Sequence, residues 1–199
     1  MRLPVSAHLE RPWLIHGVAP DFAVEDVWAL ESSDPRADFA SLLDAFVDDD
    51  FPDRAPAIVR LLWQARWVIG RVLRWDRPDA GVGERVPSLR ERLPDELRQA
   101  EPGRDLPDVP FTTVYETSEE WALEIANRTV HGVLHLGWVP DPAAGGGRGQ
   151  LAVLVRPNGL LGVGYLAAIK PLRHLIVYPA LLRGLERRWQ AGLAARPVS

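Results

Sequence analysis

Between Phe111 and Val155 the chain falls into short runs rich in β-branched and aromatic residues: Phe111–Thr117, Trp121–Ala126, Thr129–Val139 and, after a DPAAGGGRG loop, Gln150–Val155. Such runs, separated by turn residues, predict an antiparallel meander. Elsewhere the spacing of apolar residues changes to three and four. Residues 11–19, RPWLIHGVA, read as a short strand bounded by prolines. Asp21 is placed to cap a short helix through Val24, Val27, Trp28 and Leu30, and Asp38 a second through Phe39, Leu42, Leu43 and Phe46. A long helix is expected over 56–75, with Pro56 in its first turn. A final helix over 159–193 is interrupted by Pro171 and Pro179, each of which should kink or divide it. Residues 77–110, dense in proline and glycine, hold one short helix signalled at Ser88; they form either an ordered loop or a lid.

Alternation along strands decides which side chains share a face. With Asn127-Arg128 as a two-residue turn, Trp121, Leu123, Ile125, Leu134, Leu136 and Trp138 line one apolar face. The other face carries Glu120, Glu124, His131 and His135. A four-residue turn would change partners and keep the faces. Carried back through Ser118-Glu119, the register sets Glu116 opposite Trp121 on the apolar face, while Thr113 and Tyr115 join the Glu/His face. A carboxyl buried at Glu116 would be raised in pKa and suited to proton transfer. Tyr165 and His174 of the final helix are the candidate groups to reach it.

His131 and His135 have the spacing that chelates a metal on a helix. On a strand the two lie about 13 Å apart, too far to share an ion. They are read instead as surface or interface histidines paired with glutamates, and no metal or cofactor is expected. Cysteine is absent, which removes disulfides and thiolate zinc sites. Nucleophile-elbow, Walker and dinucleotide-binding sequences are also absent.

The 199 residues suit one domain, with 77–110 and 141–149 as its loops. The net charge of −4 offers no basic excess for nucleic acid. The apolar stretch 159–182 is broken by Lys170, Arg173 and His174, so no membrane span is expected. The opening MRLPVSAHLERPW lacks the apolar run of a signal peptide, and a cytoplasmic location is expected. Charge is uneven along the chain: residues 1–53 carry 12 acids against three bases, and residues 157–199 carry six bases against one acid. The two ends are either separate solvated surfaces or attract each other, within one chain or across a homodimer.

The order of strand, helical pair, meander and long C-terminal helix resembles the START/polyketide-cyclase-like (SRPBCC) superfamily, in an uncharacterised bacterial branch. The resemblance is carried by APDFAVEDVWAL (19–30), SLRERLPDELR (88–98), NRTVHGVLHLGWV (127–139) and GYLAAIKPLRHLIVYPALLR (164–183). It implies an α+β helix-grip fold, in which a curved antiparallel sheet wraps a long C-terminal helix. Here a helical segment is added before the main meander. It also implies a cavity between sheet and helix for a small apolar molecule. Trp121, Leu123, Ile125, Leu134, Leu136 and Trp138 would line that cavity, with Ile169 of the helix. The expected function is a binding or carrier protein. The alternatives are a cyclase or dehydratase using Glu116 with His174 or Tyr165, and a filled-core interaction protein.

Overall fold

In a computed structural model, the meander becomes the larger part of a six-stranded antiparallel sheet. The structure describes residues 1–32, 34–47, 82–83, 86–106, 109–141, 146–159, 162–164, 166–167, 175 and 177–196. The helix expected over 56–75 and the interruption at Pro171 lie outside the described residues. The strands are β1 (Arg2–Leu3), β2 (Ala23–Leu30), β3 (Thr112–Glu116), β4 (Glu120–Ala126), β5 (Val130–Asp141) and β6 (Gly146–Pro157). They lie in the order β1-β2-β6-β5-β4-β3, so the first long strand closes against the last and the meander extends away from it. The helices are α1 (Ser6–Leu9), α2 (Leu14–Val18), α3 (Phe39–Val47), a 3-10 turn at Leu89–Arg92, α4 (Asp95–Gln99) and α5 (Tyr178–Ala195).

Two expectations near the N-terminus are corrected. Residues 11–19 are not a strand: Leu14–Val18 is helical, and its apolar residues Trp13, Ile15 and Val18 are buried against the sheet. Residues 23–30 are not a helix but β2, paired with β6 from Ala23↔Val155 to Leu30↔Gly149. Val27 packs into the layer on one side of the sheet, while Trp28 and Leu30 pack into the layer on the other. A strand covered on both faces shows near-continuous apolar character, and that hides the period of two. A bulge between Val24 and Asp26 disturbs the alternation further.

The β4–β5 turn runs over the four residues Asn127 to Val130 rather than two, with Ala126 opposite His131. Asn127 Oδ1 accepts from the Thr129 N–H and hydroxyl (2.8 Å each) and the Val130 N–H (3.0 Å). This Asx-type turn sets Leu123↔Leu134 and Trp121↔Leu136, new partners on the same faces. Glu116 stands opposite Trp121 as expected. A bulge between Thr113 and Tyr115 places Thr113 opposite Leu123, so only Tyr115 joins the Glu/His face.

On the Trp121 face lie α3 and α5. Asp38 caps α3, its carboxylate accepting the Ser41 N–H at 2.8 Å. The Ser41 hydroxyl in turn receives the Trp189 indole N–H from α5 at 2.8 Å. Trp138 packs edge-on to Trp189, and Phe46 to Trp121. Pro179 stands in the first turn of α5, where its missing N–H costs no helical bond. Arg196, just past that helix, pairs with Asp44 at 3.2 Å and Asp38 at 3.8 Å, so one base of the C-terminal segment meets two acids of the N-terminal segment within the chain.

The opposite face is covered by residues 4–19 and by Leu89 and Leu93 of the proline-rich segment. Trp13 lies over Gly137, where an added Cβ would fall 2.8 Å from its ring. Gly137→Ala should therefore destabilise the protein by about 1–3 kcal/mol through this overlap. The expected readout is a lower urea midpoint at unchanged slope.

Candidate functional site

On the Trp121 face, direct cross-strand pairs align Trp28, Leu151, Leu136 and Trp121 in one row across β2, β6, β5 and β4. Three strand spacings put the outer Cα atoms about 14 Å apart. Both tryptophans are buried, Trp121 fully and Trp28 to 8% residual exposure. Neither indole N–H has a hydrogen-bond partner among the described residues. The row therefore consists of two leucines between two unsatisfied donors, beneath α3 and α5. Leu123 and Leu136 are buried in this layer, Leu134 and Trp138 are partly buried against it, and Ile125 is half-buried. Ile169, Tyr165 and His174 lie outside the described residues.

Glu116 sits at the edge of the sheet, its side chain 19% exposed. The Arg104 N–H donates to its Oε2 at 2.8 Å and the Arg104 guanidinium to its Oε1. Arg104 also reaches Asp44 at 3.2 Å. The carboxylate is thus held by the backbone and guanidinium of Arg104 at the sheet edge, and not buried among apolar neighbours as expected.

The Glu/His face departs most from expectation. His131 and His135 are not at a surface: both are buried, as is Glu124. Their pairing with glutamates is present, His131 to Glu124 at 2.8 Å and His135 to Glu120 at 3.1 Å. The Glu120 carboxylate also accepts the Leu14 N–H at 3.0 Å on each oxygen and the Tyr115 hydroxyl at 2.8 Å. On the far side of the His135 ring, Nδ1 meets His8 Nε2 at 3.2 Å, and His8 Nδ1 meets His16 Nε2 at 3.0 Å. His16, half-buried, ends the row.

Burial pushes the Glu120 carboxyl up, but the bonds from His135, Leu14 and Tyr115 outweigh it, and the group lies below its ordinary value. Burial, then the Glu120 charge, pushes the Tyr115 phenol far above the usual range. Burial, with His135 and His16 beside it, takes His8 down to about 3. His16 is lowered too, first by burial and then by His135, with Glu120 opposing.

These shifts order the protons. An ionised Glu120 only accepts, so His135 carries hydrogen on Nε2. In the uncharged row each ring then donates from Nε2 toward Glu120, and His16 Nδ1 is left as the outer acceptor. A proton taken up there can hop inward along the row, each hop reversing one hydrogen bond without breaking it. The three imidazoles are strung end to end and do not converge. No group of three or more potential ligands among the described residues is arranged to hold a metal.

A second cluster centres on Glu124, which accepts from the Ser88 hydroxyl (2.5 Å), the Leu89 N–H (3.1 and 3.2 Å) and His131. Serine, glutamate and histidine meet here, but the hydroxyl points to the carboxylate and not to the imidazole. Ser88 Oγ also accepts the Arg90 N–H at 3.1 Å, capping the 3-10 turn. Both nearby amides, of Leu89 and Arg90, are engaged, so neither is left to hold an oxyanion. The cluster anchors residues 88–92 on the sheet.

His8, His16 and Glu120 were not among the candidates read from the sequence. The available signal was the company of the Glu/His face: Ala122, Val133 and Gly137 alternate with its ionisable groups. That is too apolar a surface to face water.

Against known proteins, the family model described as "Protein of unknown function (DUF2867)" matches residues 18–180. The chain belongs to that family. No curated protein matches it, and no solved structure does.

Replacing Tyr115 by Phe removes one donor from Glu120 while preserving the ring. The loss should be about 1–2 kcal/mol of stability, because the largely buried carboxylate keeps most of the cost of desolvation. Chemical denaturation of Tyr115→Phe at pH 7 measures it; an unchanged stability would show that the hydroxyl adds nothing to the network.

Proposed function

We propose that the layer between the sheet and α5 receives a small, elongated, apolar ligand bearing hydrogen-bond acceptors, so that the protein acts as a binding or carrier protein. The observation that carries this reading is the pair of buried indole N–H groups at Trp28 and Trp121, which have no acceptor among the described residues. A buried donor without an acceptor costs about 1–3 kcal/mol, and a ligand acceptor at each end of the row would recover it. Leu151 and Leu136 supply the apolar floor between them. Tyr178, in the first turn of α5, lies against Trp28 with ring centroids 5.7 Å apart, so movement of that turn would open one end of the row.

The helix-grip reading is supported by the closure of β2 on β6 and by α5 against one face of the sheet. The enzyme reading loses support at Glu116, because Arg104 holds at the sheet edge the carboxylate that was to transfer protons from an apolar setting.

A fluorescent long-chain fatty acid, apolar and ending in an acceptor, is a suitable probe. Titrated into the protein, it should bind saturably at one site and quench tryptophan emission by energy transfer. Trp121→Phe should weaken binding roughly 5–10-fold, the loss expected for one hydrogen bond. The unliganded variant should remain within about 1 kcal/mol of the parent, since it sheds an unsatisfied donor. Absence of saturable binding, together with a native mass equal to that of the bare chain, would favour a filled core serving interaction instead.

A further inference from the structure

We propose that residues 4–19 are a proton-released strap: protonation of the His16–His8–His135 row lifts this segment off the sheet and uncovers the apolar face beneath, while the sheet and its α3/α5 layer stay folded. The strap is tethered at both ends, by β1 before it and β2 after it, so release does not require the chain to come apart. Few polar contacts fasten its middle, beside the buried apolar anchors Trp13, Ile15 and Val18 and an Arg92 bond to the Val18 carbonyl at 3.3 Å. Leu14 donates its N–H to Glu120, Trp13 lies over Gly137, Gln150 donates to the Ala7 carbonyl at 3.3 Å, and His8 bridges His16 and His135.

The geometry limits how many protons this row can hold. One added proton fits, because hops along the row reverse its hydrogen bonds and keep every one of them. A second does not fit. With His135 and His16 both doubly protonated, each aims an N–H at His8, and a neutral His8 has only one acceptor nitrogen. One N–H then faces another, and the row must break.

The titratable groups facing His8 are His16 from α2 and His135 from β5, with Glu120 of β4 and Tyr115 of β3 behind His135. The only carboxylate in this set already accepts from Leu14, Tyr115 and His135. At the strap's end Asp21 bonds Arg92 and Arg156, and the Arg92 bond foremost lowers its carboxyl to about 2, so it stays charged down to mildly acidic pH.

The sign follows from linkage. His8 falls from 6.5 in the open chain to about 3 in the closed strap. Its contribution to closure is complete above pH 6.5 and is lost as pH falls toward 3. The His16 shift acts in the same direction. Glu120, lowered from 4.5, also favours closure above that value and weakens it below. For His8 alone, the opening constant should rise about 30-fold between pH 7.5 and 5.0.

Hydrogen exchange of the whole protein at pH 7.5 and 5.0, corrected for intrinsic rates, tests this. Peptides spanning residues 6–18 should lose protection by about that factor, while those in β4 and β5 should not. His8→Gln retains one donor and one acceptor but cannot take up a proton; its change should shrink to a few-fold. Equal protection of 6–18 at the two pH values would overturn the proposal, as would parallel loss in β4 and β5 or a full response in His8→Gln. If His8→Gln does not fold, the parent protein decides through the first two outcomes.

Discussion

A carboxylate withdrawn from water must be satisfied where it lies, and Glu120 makes that demand on three elements at once. It takes an N–H from the start of α2, a hydroxyl from β3 and an imidazole from β5. Each donor fixes the position of its element relative to β4. The demand also travels outward: once His135 has given its Nε2 hydrogen to Glu120, its other nitrogen needs a donor, which is His8, and His8 in turn needs His16. Seating residues 4–19 on the sheet thus follows from one largely buried charge together with the apolar anchors Trp13, Ile15 and Val18. Buried polar groups of this kind specify geometry strongly because each unmade bond carries a full desolvation cost.

Much of the meander was legible because its signals are local. Alternation assigned Trp121, Leu123, Leu134 and Leu136 to one face, and the change from a two- to a four-residue turn shifted their partners by two positions and so kept the faces. Asp38 before α3 and Ser88 before the 3-10 turn were readable as caps, since capping is decided within a few residues. Residues 11–30 were not legible. There the apolar pattern reflects burial on two sides, and a strand between two layers resembles a helix until its neighbours are known. The same cause hid the candidate site. Trp28 belongs to the row of the Trp121 face only if residues 23–30 are a strand, and His131 and His135 are buried only if residues 4–19 cover them.

The ion pairs around Glu116 show a different kind of organisation. Arg104 joins Glu116 to Asp44, and Asp44 joins Arg196, so one alternating chain of charges links the outer strand β3, the helix α3 and the end of α5. These groups are partly solvated, and pairs of that kind each contribute little to stability. Their effect is on placement: they hold the loop carrying Arg104 along β3, where the Thr113 hydroxyl also bonds the Arg104 carbonyl. The outer strand is thereby covered without an apolar seal, which is one means of protecting a sheet edge from further pairing.

The two faces of the sheet respond differently to conditions. Packing of Leu123, Leu136 and Trp121 against α3 and α5 depends on apolar area, at about 25 cal/mol per Å², and is indifferent to protonation. The covering of the opposite face depends on Glu120 and three imidazoles as well as on apolar contact. Apolar residues of equal volume would close that face at no electrostatic cost, and such replacements of buried charged groups are often neutral or stabilising. Stability alone therefore does not account for an ionised glutamate and a row of histidines at this position. What the row adds is dependence on proton concentration, confined to a segment whose ends stay attached. A sheet with one constant face and one conditional face can expose the second without losing the first.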